Sequence, residues 1–339
     1  MSFYRQIQES LSSKPQQWLV TGGAGFIGSH VIEKLLTLGQ NVRVLDDLST
    51  GSLANLDAVR KIVGPISEQN LTFIEGDIRD EATLQNAMQN VDRVIHLAAM
   101  GSVSLSFENP EACRAINTAG TLQVFQAARN AGVKQVSYAS SSAVYGDDFL
   151  EFKQEDTIGM PLSPYAESKR MNEIDARILA TCFGFPAVGL RFFNIFGPRQ
   201  DPSGAYAAVI PNWISAMQEK RPVFINGDGS NTRDFCFVGD VVQALILAAT
   251  TENTDTFGAV FNVGLGKAID LNELFETLQG LVEEQTGENV PPVQYRDFRP
   301  GDIIFSCADV SRARNLLQFE PEHSLRDGLQ ETVRSFFDR

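Results

Sequence analysis

Cysteine and histidine are scarce in this 339-residue chain, with four of the first and three of the second. Cys113, Cys182, Cys236 and Cys307 lie 69, 54 and 71 residues apart and form no C-x-x-C pair. That spacing excludes a zinc cluster or a disulfide framework and reads as reduced, mostly buried thiols of a cytosolic protein, so no metal is expected. Long apolar runs are missing too. No stretch approaches the roughly 18 apolar residues of a membrane span, and the opening MSFYRQIQESLSSKPQQ is polar where a secretory signal needs an apolar core. A cytoplasmic location with no membrane partner is expected. Basic residues are outnumbered 28 to 42, for a net charge of −14, so no general field draws in nucleic acid. There is no internal repeat and no low-complexity tract.

What remains is an ordinary globular composition, 43% hydrophobic and 21% charged. At roughly 150 residues per domain, the length implies two domains or one large α/β domain. WLVT, VRVLD, LTFIEG, RVIHLAA and QVSYASS follow one another with amphipathic stretches between them, such as 80–88 and 109–131. This rhythm predicts an α/β fold, a Rossmann-type doubly wound parallel sheet with ligands beyond the carboxyl ends of its strands. After Arg191 the rhythm breaks. Residues 196–233 are rich in Gly, Pro, Asn and Asp, as in loops and short helices of a cap. A helix at 238–249 and a strand at VFNVG then resume the pattern. The expected organisation is an N-terminal extension at 1–16, a Rossmann domain at 17–195 that also receives about 236–264, and a smaller C-terminal α/β domain at 196–339. Phe3, Ile7 and Leu11 recur at i, i+4 and i+8 and predict a short helix in the extension.

The first strand runs into GGAGFIG, where Gly22, Gly23, Gly25 and Gly28 satisfy a dinucleotide fingerprint. Such glycines permit a tight turn and bring backbone N–H groups to a pyrophosphate at a helix N-terminus. Asp46 follows Gly28 by 18 residues, where an acid binds ribose hydroxyls and repels a 2′-phosphate, so the expected cofactor is NAD. Asp77, closing LTFIEGD, is a candidate for the adenine edge, with a helix cap as its plainer alternative. Further on, SPYAESK spaces Tyr165 and Lys169 four residues apart, on one helix face. ASSSAVYG places Ser140, Ser141 and Ser142 at a strand tip facing the same site. A tyrosine acting as a base at neutral pH needs its pKa lowered by about three from about 10, and a nearby lysine and a positive nicotinamide would both stabilise the phenolate.

TGGAGFIG, DDLSTG, HLAA, SSSAVYG, SPYAESK, RFFNIFGPR, RDFCFVGD and RPGD, in that order, resemble the extended short-chain dehydrogenase/reductase family, and within it the sugar-nucleotide epimerases. The resemblance implies an N-terminal domain holding NAD, a C-terminal domain holding a UDP-sugar, and a homodimer paired through helices that contain 109–131 and 164–183. It implies catalytic roles for Tyr165, Lys169 and Ser141. Around the cofactor it implies contacts from Gly22, Gly25, Phe26, Ile27 and Gly28, and from Asp46, Leu48, Ser49, Thr50 and Gly51. Asp77, Ile78, Leu97, Ala98 and Ala99 follow, with Asn117, Ser140 and Phe192.

Around the sugar nucleotide the resemblance implies Ser102, Ser141, Ser142, Asn194, Gln200, Ala208 and Val209. Phe224, Asn226, Arg233, Arg299, Asp302 and Ser306 complete the set, with Arg233 and Arg299 on the diphosphate. The related dehydratases and decarboxylases carry an acid just before V-Y-G. Ser142 and Ala143 stand there instead, so elimination and decarboxylation lack their catalyst, and C4 epimerisation is expected. Ser306 replaces the bulky tyrosine of epimerases that reject N-acetylated sugars, and 205–211 with Gln200 resemble the subgroup acting on UDP-N-acetylglucosamine and UDP-N-acetylgalactosamine. That subgroup reads G-S-V-P-R-S after H-L-A-A, whereas this chain reads GSVSLS, with Leu105 in place of arginine. UDP-glucose/UDP-galactose and UDP-uronic acid epimerases stay open as alternatives, as does an NAD-sensing protein without catalysis.

Overall fold

The computed structural model describes residues 2–203, 208–298 and 304–338. Its centre is a seven-stranded sheet whose strands we number β1 (Gln17–Thr21), β2 (Asn41–Asp46), β3 (Leu71–Glu75), β4 (Arg93–His96), β5 (Gln135–Ser141), β6 (Ala187–Phe192) and β7 (Val260–Val263). They lie in the order β7-β6-β5-β4-β1-β2-β3, every pairing parallel. The order reverses between β1 and β4, and this is where a doubly wound sheet leaves a crevice at its carboxyl edge. Register brings Thr21 level with both Leu45 and His96, so the three strand ends open together.

The strands are short apolar runs because helices cover both faces of the sheet. Trp18, Val20, Val44, Ile95, Leu190 and Phe261 are fully buried in one core, together with Leu245 and Leu247 of helix Val238–Thr250. Five strands match the expected ones. β7 and that helix return to the sheet after the segment 193–237. A second apolar core forms around Trp213, Ile214, Phe275, Leu278 and Phe336, drawn from helices Val209–Gln218, Leu271–Thr286 and Leu325–Phe337.

The N-terminal helix is present over Phe3–Ser13, with Tyr4 and Leu11 buried. It is tied down by Gln40, whose amide donates to the Leu11 carbonyl (2.7 Å) and accepts from the Trp18 indole (3.2 Å). The segment expected as one helix over 109–131 is instead α-helical over Pro110–Cys113, π-helical over Arg114–Gly120 and α-helical again over Thr121–Asn130. Helix Pro164–Phe183 begins on a Ser163 cap, whose hydroxyl accepts from Ala166 N (3.1 Å), and stops at Gly184 in the left-handed conformation. Met171, Ile174 and Ile178 form an exposed apolar stripe along it, 37%, 38% and 48% accessible. No helix among the described residues is long and apolar enough to cross a membrane.

Candidate active site

The glycine turn closes the crevice between β1 and β4. Gly22 has φ +68°, and a Cβ there would stand 2.6 Å from the Ala98 backbone nitrogen, so only glycine lets the turn pass this close to the end of β4. A side chain on Gly28 would overlap the Gly22 carbonyl oxygen, which fixes how tightly helix Phe26–Thr37 springs from the turn. The result is a cavity of about 510 Å³ walled by Gly22, Gly25, Phe26, Ile27 and Gly28 on one side. Asp46, Ser49 and Thr50, then Asp77 and Ile78, then Leu97, Ala98 and Ala99 continue the wall, and Ser140, Ser141, Tyr165, Lys169 and Phe192 complete it.

The Asp46 carboxylate accepts from the backbone nitrogens of Ala24 and Leu48, both at 2.9 Å. Burial raises its pKa despite those bonds. Asp77 is gripped by Arg79, whose hydrogen bonds hold the carboxyl below its usual range, and the cap of helix Glu81–Ala87 is Asp80 instead. Three of the expected residues stand behind the wall. Leu48, at φ +57°, packs its side chain on the core, and Gly51 lies against Asp46. Asn117 is buried in the π-helical segment, accepts from Met100 N (2.7 Å) and donates to Met100 O (3.2 Å) and Ser168 Oγ (3.1 Å). A π-turn carries one extra residue, and here it aims an amide that pins the loop after β4. His96 of the HLAA motif lies between Thr21 and Thr121, and burial depresses its pKa to about 3, which leaves it neutral. Cys113, Cys236 and Cys307 are buried free thiols and Cys182 is exposed. No group of His, Cys, Asp and Glu that could hold a metal occurs among the described residues.

At the mouth of this cavity the tip of β5 meets the start of helix Pro164–Phe183. Lys169 Nζ donates to the Ala139 carbonyl (3.0 Å) and lies 5.8 Å from the Tyr165 ring centre. Burial lowers the Lys169 pKa to about 8. The Tyr165 hydroxyl is raised by burial, and its hydrogen bond with Ser141 opposes that. Tyr165 N in turn donates to Ser106 Oγ (3.1 Å), which ties this helix to helix Val103–Glu108. Ser141 and Ser140 line the cavity, whereas Ser142 opens the tight turn Ser142–Tyr145 beyond it.

A second cavity, about 550 Å³, is lined by Asn194, Gln200, Ala208, Val209, Phe224, Asn226 and Arg233 among the expected residues. It adjoins the first: helix Val103–Glu108 gives Ser104 to one and Leu105 to the other, and the end of β6 gives Phe192 to one and the next turn gives Asn194 to the other. Arg221 and Arg296 also line it, and sequence reading missed both. Arg296 reaches the wall because strand Gln294–Arg296 pairs with Phe224–Asn226, and its guanidinium lies 3.4 Å from the Phe224 ring centre. Three arginines on one cavity suit a diphosphate. Ser102 caps helix Val103–Glu108 and Ser306 is buried with its carbonyl accepting from Asp234 N (3.0 Å); neither is in the described wall of these two cavities. Arg299, Asp302 and the stretch 204–207 lie outside the described residues.

A parallel sheet with a glycine cradle at its reversal point, an acid at the end of β2 and a serine, tyrosine and lysine at the rim defines a dinucleotide-dependent enzyme. The chain belongs to the NAD dependent epimerase/dehydratase family, whose model matches residues 18–264, and it uses NAD. Among solved structures it is similar to a UDP-N-acetylglucosamine 4-epimerase of Methanobrevibacter ruminantium in complex with UDP-N-acetylmuramic acid. That pair is 37% identical, with a TM-score of 0.87, covering 96% of this chain and 99% of that one. A UDP-glucose 4-epimerase of Mycolicibacterium smegmatis is 36% identical across 94% of this chain and 97% of its own. A UDP-glucuronate 4-epimerase of Thermodesulfobacterium geofontis is 32% identical across 93% and 94%.

Proposed function

We propose that the protein epimerises a UDP-sugar at C4 and interconverts UDP-N-acetylglucosamine and UDP-N-acetylgalactosamine. The observation that carries this reading is the meeting of Tyr165, Lys169 and Ser141 at one rim, where the next two positions, Ser142 and Ala143, hold no carboxyl group. Without an acid there, loss of water or of carbon dioxide has no catalyst, and removal and return of hydrogen at C4 remain. Bound NAD in its oxidised form supplies the acceptor for the C4 hydride, later its donor, and a positive charge that favours the Tyr165 phenolate. Tyr165 takes the proton of the 4-hydroxyl during oxidation and returns it during reduction. Ser141 hydrogen-bonds Tyr165, and Lys169 adds charge that favours the phenolate. Arg233, Arg221 and Arg296 neutralise the diphosphate, with Arg299 and Asp302 as further contacts.

Two features support the N-acetylated sugar: the likeness to the Methanobrevibacter ruminantium 4-epimerase, and the small Ser306 where epimerases that reject N-acetylated sugars carry a tyrosine. The stripe of Met171, Ile174 and Ile178 fits pairing with a second copy, so a cytoplasmic homodimer belongs to the reading. The test is to incubate UDP-N-acetylglucosamine, UDP-glucose and UDP-glucuronate separately with pure protein and no added reductant, and to identify the nucleotide released on denaturation. We expect NAD and the highest kcat/KM on the N-acetylated sugar. A higher value on either of the others moves the substrate assignment, and no epimer from any of the three refutes the function.

A further inference from the structure

Helix Pro164–Phe183 carries a third inward group one turn beyond Lys169. Glu173 is 3% exposed, and all four of its acceptor positions are used. Its Oε1 accepts from Ser140 Oγ (2.6 Å) and Arg191 Nε (2.8 Å). Its Oε2 accepts from Arg191 Nη2 (2.8 Å) and Arg170 Nη1 (2.9 Å). Arg191, on β6, is fully buried, and its remaining Nη1 donates to the Glu155 carbonyl (3.0 Å). The helix therefore grips two consecutive residues at the tip of β5, Ala139 through Lys169 and Ser140 through Glu173, and sets Tyr165 against the third, Ser141. Lys169 and Tyr165 have proposed chemical roles; the contact between them joins Ser140, which lines the cofactor cavity, to Glu173, which does not.

We infer that Glu173, locked by Arg191, is a positioning residue that sets the register of the catalytic helix against the β5 tip through Ser140, and so holds Tyr165 on Ser141. The argument is one of rigidity. A carboxylate forked onto a buried guanidinium has one geometry, and the strand that supplies the guanidinium is hydrogen-bonded to β5 along its length. Slippage of the helix by a fraction of an ångström would break the Glu173 fork before it disturbed the apolar packing. A general base displaced by about 1 Å loses about 100-fold in rate. The inference rests on the proposed function only for Tyr165 as the base.

The test uses the holoenzyme and two variants. Ser140→Ala removes the link to the strand and leaves the ion pair intact. Glu173→Leu combined with Arg191→Met replaces the pair with apolar side chains of similar volume, which buried ion pairs commonly tolerate. The titratable or charged groups near the Tyr165 hydroxyl are Lys169 and Cys113. Both variants leave these in place. We expect kcat to fall about tenfold or more in each, with KM for the sugar and NAD content within about twofold of wild type. The acid limb of kcat against pH should move to higher pH. The phenolate of Tyr165, followed by ultraviolet absorbance with Tyr165→Phe as the blank, should titrate at the same higher pH, and this readout needs no turnover. A folded Ser140→Ala enzyme with wild-type kcat, or with lower kcat and an unmoved profile and titration, overturns the inference whatever the double variant does. A proportional loss of NAD also overturns it, since Ser140 would then act on the cofactor. A wild-type protein that turns over no UDP-sugar refutes the function instead, and the absorbance titration still decides the positioning role.

Discussion

Replacing Lys169 with methionine should make the protein a poorer enzyme and a more stable one. Lys169 is buried, its pKa is depressed to about 8 by that burial, and its ammonium lies 5.8 Å from the Tyr165 ring centre. At an effective dielectric of about 20, a unit charge about 6 Å from the phenol is worth about 3 kcal/mol, or about two decades in the phenolate equilibrium. We therefore expect Lys169→Met, saturated with NAD, to lose about 100-fold in kcat at pH 7, with the acid limb of its profile moved up by about two pH values. Stability runs the other way. The gap between the ordinary lysine value near 10.5 and about 8 means that the folded state carries a penalty of about 3 kcal/mol for the charge at pH 7. Methionine lifts the penalty but leaves the Ala139 carbonyl without its donor, at a cost of about 1 kcal/mol, for a net gain of about 2.

The sign follows from linkage. The folded protein releases this proton at lower pH than the unfolded chain, so wild-type stability rises between pH 8 and 10.5, and the advantage of the variant is largest below pH 8 and shrinks above it. Calorimetry of the cofactor-free proteins at pH 7 should show a Tm about 3 °C higher for the variant. A variant that melts lower than wild type, or that keeps kcat within about threefold with an unmoved profile, refutes the reasoning.

Tyr165→Phe deletes the proton acceptor and little else, so turnover should fall by about 10² to 10⁴ while NAD still copurifies, as an assay of the denatured protein can read. Ser306→Tyr should lower kcat/KM for UDP-N-acetylglucosamine relative to UDP-glucose by about tenfold, the mark of a steric contact at C2; equal loss on both in a folded variant removes Ser306 from specificity. His323 donates to the buried Asp240 carboxylate (3.0 Å), which raises its pKa. Its stabilising contribution is therefore whole below the unfolded value near 6.5 and is lost as pH rises through the folded one. Tm should decline over that window in wild type and not in His323→Gln.

The strands β1 to β5 were legible because each is a short apolar run set between amphipathic stretches, and the helix spacing of Tyr165 and Lys169 survived intact. β7 was read as a strand, but its place beside β6 depends on long-range pairing that no local pattern encodes. The π-helical stretch could not be read because nothing local in Arg114–Gly120 marks an extra residue, and the Asn117 bonds to Met100 that accompany it join segments apart in sequence. Arg296 looked like any surface arginine until its strand registered against Phe224–Asn226. Glu173 and Arg191 lie in different segments, and only the sheet brings them together. Asp46 was expected on a ribose, and the structure adds a second task, since its oxygens also hold the backbone of the glycine turn.

The most direct test of the central claim is epimerisation in D₂O. UDP-N-acetylglucosamine is incubated with the pure protein and no added reductant, and the product is read by proton NMR at C4. If the hydride leaves C4 and returns to it within one closed cycle, UDP-N-acetylgalactosamine appears with its H4 signal at full intensity and no net NADH accumulates. Deuterium at C4, a deoxygenated 4-keto product, or no epimer at all would contradict the account.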